Sequence, residues 1–99
     1  MTLTSKDILS ILEQNHERIR SYGVRQLGLF GSFARGESTE SSDLDFLVEF
    51  ENKSFDAYIE LKQFLEELFG RRVDLVLPNT IKPRLKNRIL AETVYAQGL

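Results

Sequence analysis

The chain has 99 residues, a formal charge of −2, 41% hydrophobic and 28% charged residues and no cysteine, which excludes a disordered chain and predicts one domain, residues 1–99, without disulfides or thiolate metal sites. It has no apolar run near the roughly 20 residues that cross a bilayer and no signal peptide, so we expect a cytoplasmic protein that does not contact membranes. The acidic balance argues against direct binding to nucleic acid and favours a charged small molecule or another protein as partner.

Hydrophobic periodicity and turn residues predict a chain of alternating helices and strands, and therefore an α/β fold. In chain order, the predicted elements are a helix from about Ser5 to about Ser21, a strand at Val24–Phe30, a short helix at Ser32–Arg35, a strand at Ser42–Phe50, a helix between Ser54 and Gly70, a strand at Arg72–Leu77 and a helix from Pro83 to about Glu92. The final residues, VYAQGL, are compatible with a fraying helix or an edge strand.

The predicted strand SDLDFLVEF carries carboxylates where a strand buried on both faces would carry apolar side chains. A period of two places Leu44, Phe46, Val48 and Phe50 on a core face, and Asp43, Asp45, Leu47 and Glu49 on a largely acidic face. Residues two apart on a strand project from the same face with alpha carbons about 6.5–7 Å apart. The carboxylates of Asp43 and Asp45 therefore converge, and we expect Glu49 to lie outside their site.

Two converging carboxylates repel each other, and a bound cation is the simplest means of offsetting that repulsion. Asp74 repeats the pattern in the strand RVDLVL, and it joins the pair if the two strands are neighbours. A single aspartate of this kind usually just faces solvent. Three aspartates that all lie opposite the apolar face of their strands favour a metal site. Oxygen ligands of this kind suit two Mg²⁺ ions about 3.5–4 Å apart, the arrangement used in phosphoryl transfer.

The turn Gly31-Ser32 precedes these carboxylates and has the properties of a phosphate-binding turn. Glycine lets a backbone approach a ligand closely, and amides that open a short helix at Ser32–Arg35 suit phosphate oxygens. A Gly-Ser pair alone most often marks an ordinary turn, so its meaning depends on the neighbouring acidic residues.

The segment Gly31–Gly36, followed after five residues by Ser42–Asp45 and later by Asp74 in a Val-Asp-Leu-Val strand, resembles the signature of the minimal nucleotidyltransferases of the DNA polymerase beta superfamily. The resemblance extends over nearly the whole chain. It implies a nucleotidyltransferase fold, with a small mixed sheet of three to four strands, helices packed on one face and the active site on the other.

The resemblance also implies metal and catalytic roles for the three aspartates. Asp43 and Asp45 would ligate both magnesium ions, and Asp74 would hold the ion that activates the acceptor hydroxyl and would help to take its proton. The implied reaction is in-line attack of that hydroxyl on the alpha phosphorus of ATP, with pyrophosphate as the leaving group. Metal charge at such a site offsets the charge that develops on the phosphate.

Four further residues would bind the nucleotide according to the same resemblance. Gly31 and Ser32 would hold the triphosphate tail, and Ser42 belongs to the motif that contains the first two aspartates. Arg35 has two alternative roles: it contacts phosphate, or it braces the turn against the acidic cluster.

The chain has no room for a second, acceptor-binding domain, so the acceptor must come from elsewhere. Stand-alone proteins that resemble this one are commonly antitoxins that transfer AMP to a tyrosine of a HEPN ribonuclease toxin, and this is the leading hypothesis. One alternative is an antitoxin that neutralises its partner by contact alone. Another is a catalytic subunit that modifies a small hydroxylated molecule.

A basic cluster, Lys82, Arg84, Lys86 and Arg88, opens the last predicted helix. Such clusters are usually solvated. The functional alternative is a contact to the triphosphate or to an acidic partner surface.

Overall fold

The computed structural model describes residues 3–52 and 54–99, in which five helices surround a four-stranded mixed sheet. The helices are Ser5–Gln14 (α1), His16–Ser21 (α2), Ser32–Arg35 (α3), Phe55–Phe69 (α4) and Pro83–Glu92 (α5). The strands are Val24–Phe30 (β1), Leu44–Phe50 (β2), Val73–Val76 (β3) and Val94–Tyr95 (β4), and a short 3₁₀ helix at Pro78–Thr80 follows β3. The predicted α/β fold class is confirmed.

The sheet has the strand order β3-β2-β1-β4. Strand β1 pairs antiparallel with both β2 and β4, whereas β2 and β3 run parallel. The register places Phe30 opposite Asp45 and Asp45 beside Asp74. The two strands that carry the predicted site are therefore neighbours, as the sequence-based hypothesis required.

The hydrophobic core lies between one face of this sheet and the helices α1, α2 and α4. Alternate residues of the strands supply its sheet side: Leu27, Leu29, Leu44, Phe46, Val48, Val73 and Leu75. The helices supply Ile8, Leu12, Ile19, Leu61, Phe64 and Leu65. This alternation confirms the predicted core face of β2 and leaves its other face for polar chemistry.

Local capping explains where the two longest sequence-predicted helices begin. Thr4 and Asp7 form a capping box at the start of α1, with each side chain bonded to the other residue's backbone amide at 3.1 Å. The hydroxyl of Ser54 accepts from the amide of Ala57 at the start of α4, and Gly70 ends that helix in the left-handed conformation. These contacts satisfy backbone groups that have no partner within the helix.

The first helix is interrupted, which the sequence analysis did not predict. Asn15 separates α1 from α2, with φ −110° and ψ 19°. Its side-chain amide donates to the carbonyl oxygen of Ile11 at 2.8 Å. Such local side-chain bonds compete with regular helix geometry, and apolar spacing alone does not reveal them.

Three details of the structure differ from what strand alternation and residue type alone suggest. Strand β2 begins at Leu44, so Asp43 lies just before it. Leu47 is buried although it shares the acidic face, because it sits in a central strand between Gly28 and Val76. Phe55, an aromatic residue at the start of α4, is 78% exposed.

The ambiguous C-terminal segment forms the edge strand β4, which pairs Val94 and Tyr95 with β1. Within the residues that the structure describes, no helix is long and apolar enough to span a membrane.

Candidate functional site

Asp45 and Asp74 occupy adjacent positions on the parallel strands β2 and β3. Register partners on neighbouring strands, which lie about 4.8 Å apart, project from the same face of the sheet. Asp74 is exposed and Asp45 is partly buried. Asp74 therefore faces the same side as Asp45 and is not covered by hydrophobic packing.

Asp43 is exposed and lies one residue before β2, in the loop that leads into the strand. Its charge acts on Asp45, as does the charge of Asp74. The structure thus places the three aspartates close enough at one end of β2 and β3 for the charges of Asp43 and Asp74 to act on Asp45.

The carboxyl group of Asp45 is the most perturbed acid of this group. Burial, followed by the negative charges of Asp74 and Asp43, raises the pKa of Asp45 from 3.8 to about 6, and the positive charge of Arg35 partly opposes this shift. An ionised carboxylate at this place is costly until a cation approaches it.

The donor set fits a hard cation such as Mg²⁺, because all three side chains offer carboxylate oxygens. In residues 3–52 and 54–99, no three acidic, histidine or cysteine side chains are arranged as a complete metal site. The assignment of Asp43, Asp45 and Asp74 as metal ligands stays a prediction.

Gly31 brings the end of β1 directly against Asp45. It has φ +78° and ψ −154°, a backbone region that is essentially restricted to glycine. A Cβ atom at this position would collide with the Asp45 carboxylate. Glycine is needed both for the turn and for this close approach.

Ser32 follows as the first residue of α3 and is partly buried. A backbone amide at the first helical position has no acceptor within the helix, so it is available to an external anion. The predicted contact of Gly31 and Ser32 with phosphate is sterically consistent with this turn and stays a prediction.

Arg35 contacts two acids beside the turn, which is consistent with the bracing role among its two predicted alternatives. Its guanidinium forms ion pairs with Glu92 at 3.0 Å and with Glu37 at 3.3 Å, and the hydrogen bond to Glu37 is the largest of the interactions that raise its pKa. The Arg35 side chain is still 41% exposed. Its alternative role, a contact with phosphate, stays a prediction.

Ser42 forms hydrogen bonds that hold the loop preceding β2, in which Asp43 lies. Its hydroxyl accepts from the amide of Thr39 at 2.8 Å, and its carbonyl accepts from Arg71 at 3.0 Å. The Arg71 guanidinium also lies 5.1 Å from the ring centroid of Phe33 in α3. The structure thus gives Ser42 a role in holding the loop, and its binding to nucleotide stays a prediction.

Glu92, the last residue of α5, belongs to this site but was not predicted. Its carboxylate accepts from the Gly31 amide at 2.7 Å as well as from Arg35. The two partners are 61 and 57 residues away in the chain. No local pattern in the sequence signals such a contact, because it depends on how the C-terminal segment packs against β1.

The basic cluster is exposed at all four of its members, Lys82, Arg84, Lys86 and Arg88.

An apolar cavity of 360 Å³ lies at the end of β2 opposite the aspartates and is lined by Phe50, Ser54, Phe55, Tyr58 and Leu77. The cavity therefore does not adjoin the acidic site.

Comparison with known proteins identifies the family to which this chain belongs. Residues 6–96 match the model of the nucleotidyltransferase domain. The protein adenylyltransferase MntA of Thermococcus cleftensis is 45% identical over an alignment of 95 residues, and the alignment covers 94% of this chain and 96% of that relative.

Solved structures are similar over comparable lengths. A structure assigned as a minimal nucleotidyltransferase has a TM-score of 0.71 and 40% identity, and the match covers 87% of this chain and 93% of that one. A complex of an MNT antitoxin with a tri-AMPylated HEPN toxin from Shewanella oneidensis contains a chain with a TM-score of 0.63 and 21% identity, over 92% of this chain and 73% of that one. The second likeness shows a shared fold.

Substitution of Gly31 tests the close approach to Asp45. We expect Gly31→Ala to lower the free energy of unfolding by about 2–3 kcal/mol, because alanine is strained in this backbone region and its methyl group displaces the carboxylate. Gly36→Ala is the matched control: Gly36 also has positive φ, but a Cβ there meets nothing within 4 Å. It should cost only about 1 kcal/mol. Equal losses in urea unfolding would contradict the steric argument.

The raised pKa of Asp45 predicts a pH dependence of stability in metal-free buffer. The unfolded carboxyl loses its proton near pH 4 and the folded one near pH 6, so the native state loses stability as pH rises through this window. Asp45→Asn should therefore be more stable than the parent at pH 7 by about 1–2 kcal/mol, a figure reduced for partial solvent exposure. The gap should close near pH 4. Urea unfolding of both proteins with EDTA measures it, and a gap independent of pH would contradict the assignment.

Proposed function

Because this chain belongs to the nucleotidyltransferase domain family, we propose that it transfers AMP from ATP to a tyrosine hydroxyl of a HEPN toxin and thereby acts as an antitoxin. The observation that carries this proposal is the partly buried Asp45, which lies against the Gly31 turn and in register with Asp74. A costly carboxylate beside a free helix-opening amide fits the joint binding of a cation and a phosphate.

Two similarities support a protein as the acceptor. The relative from Thermococcus cleftensis, of nearly the same length, is a protein adenylyltransferase. The chain from Shewanella oneidensis with the same fold belongs to a complex whose toxin carries AMP groups. The exposure of Asp43 and Asp74 is consistent with a large acceptor, since a hydroxyl on another protein can reach these residues from solvent.

Asp43, Asp45 and Asp74 are the residues that would hold magnesium in this proposal. Bound magnesium supplies positive charge that offsets the charge developing on the phosphate. Asp45 is more buried than the other two, and both of their charges act on it, so it would orient the ligand set from its place in the sheet. Asp74, at the exposed position, is the group suited to receive the proton of the acceptor hydroxyl.

Gly31 and Ser32 would position the triphosphate. Gly31 has no side chain that would block the phosphates, and the Ser32 amide donates to their oxygens. The turn and the aspartates lie together because Phe30, immediately before Gly31, pairs with Asp45. The same strand register thus fixes both halves of the proposed site.

Replacement of the first two aspartates tests the proposed reaction. In the presence of Mg²⁺, ATP labelled on the alpha phosphate and the purified HEPN partner, Asp43→Asn with Asp45→Asn should lower label transfer by at least about 100-fold, as expected when electrostatic stabilisation of a transition state is lost. Glu49→Gln is the matched control, because Glu49 is an exposed acid on the same face of β2. It should transfer label as the parent does.

The same experiment distinguishes the alternative functions. Inhibition of the toxin by the parent without label on it would show neutralisation by contact alone. Label on an added hydroxylated small molecule, but not on the toxin, would show a different acceptor. A thermal-shift titration with Mg²⁺ gives an independent measurement: the parent should be stabilised and the double variant should not.

A further inference from the structure

We propose that Glu92 is a positioning residue that holds the nucleotide-binding turn in shape from the far end of the chain; the inference rests on the proposed function. One carboxylate of Glu92 joins the first residue of the turn, Gly31, to the last residue of α3, Arg35. This carboxylate thereby fixes the turn at both ends, and its negative charge also acts on Asp45.

The bond to Gly31 satisfies a backbone donor that the sheet does not use. Gly31 is buried and follows the last residue of β1, and its amide donates to Glu92 Oε2 at 2.7 Å. Buried amides are nearly always paired, and a charged acceptor makes a short, strong bond. Without this acceptor, the amide would have to turn toward solvent, and the backbone around Gly31 would change.

The bonds to Arg35 fix the other end of the turn. The Nη1 atom of Arg35 donates to both Glu92 oxygens, at 3.0 and 3.2 Å. Helix α3 has only four residues, and a helix this short has little stability of its own. Its orientation, and with it the direction of the Ser32 amide, therefore depends on contacts outside the helix.

Glu92 is well placed to supply this rigidity because β4 anchors its backbone. The next residues, Thr93 to Tyr95, run along β1, where Val94 pairs with Leu29. By contrast, no side chain of α5 is fully buried, so the helix itself is held weakly. The sheet, rather than the helix, determines where the carboxylate lies.

A competing interpretation is that Glu92 occupies the place of the phosphates and must leave before ATP binds. Two observations favour positioning. The Glu92 side chain is only 17% exposed, so little of it is open to an incoming phosphate. It also bonds Gly31 and leaves the Ser32 amide, the first amide of α3, for an incoming phosphate.

The test measures binding of the non-hydrolysable analogue AMP-PNP with Mg²⁺ by calorimetry. Glu92→Ala should weaken binding about tenfold, the effect expected from losing charged hydrogen bonds that orient the site. Glu92→Gln keeps an acceptor for the Gly31 amide and should lose only about threefold. Glu37→Ala is the matched control, because Glu37 pairs with Arg35 but has no bond to Gly31. It should bind within about twofold of the parent.

Kinetics of AMP transfer give a second readout that a purely structural role would not produce. Glu92→Ala should raise KM for ATP by the same factor as the binding loss and leave kcat at saturating ATP within about threefold. Equal affinity of Glu92→Ala and the parent would overturn the inference, and tighter binding would show that Glu92 competes with phosphate instead. If Glu92→Ala does not fold, as judged by circular dichroism, the threefold loss in Glu92→Gln decides the question.

The outcomes separate this inference from the function on which it rests. A parent protein that binds AMP-PNP, with variants that bind equally well, removes Glu92 from the site and leaves the proposed function intact. A parent that binds no nucleotide overturns both.

Discussion

The contact between the Asp45 carboxylate and the backbone of Gly31 is the constraint on which the rest of the site depends. It follows from the antiparallel pairing of Phe30 with Asp45, which places the last residue of β1 beside an acid of the central strand. The parallel pairing of Asp45 with Asp74 then adds a second acid on the other side. Burial and these neighbours raise the pKa of Asp45 to about 6. The fold holds a carboxylate where ionisation is unfavourable, which is typical of sites that bind cations or transfer protons.

Much of this arrangement could be predicted because it depends on short-range periodicity. Alternation in the strand at 44–50 identified its core face, and the same phase in the strand around Asp74 placed its acid on the opposite face. Only one tertiary assumption was needed, that the two strands are neighbours, and the sheet order confirms it. The starts of the helices near Ser5 and Ser54 were likewise predictable, since each cap joins residues three apart in the chain.

The features that sequence reasoning missed depend on contacts with no local signature. The break at Asn15 arises from a side chain that bonds the preceding turn, and the apolar spacing continues across it. The burial of Leu47 arises from its central place in the sheet. Glu92 reaches Gly31 only because β4 pairs with β1, and a two-residue edge strand is too short to be distinguished from a fraying helix by pattern.

The two faces of the sheet have different physical roles, and this division explains how so short a chain can carry a strained site. Helices α1, α2 and α4 bury one face completely, so the register that aligns Phe30, Asp45 and Asp74 is fixed by hydrophobic packing. The other face also buries Phe30 and Leu47, and near the aspartates it has polar contacts in which the carboxylate of Glu92 joins Gly31 to Arg35. Polar contacts are weaker than core burial but are directional. The core therefore determines which residues meet, and the Glu92 contacts determine how the turn at Gly31 is oriented toward them.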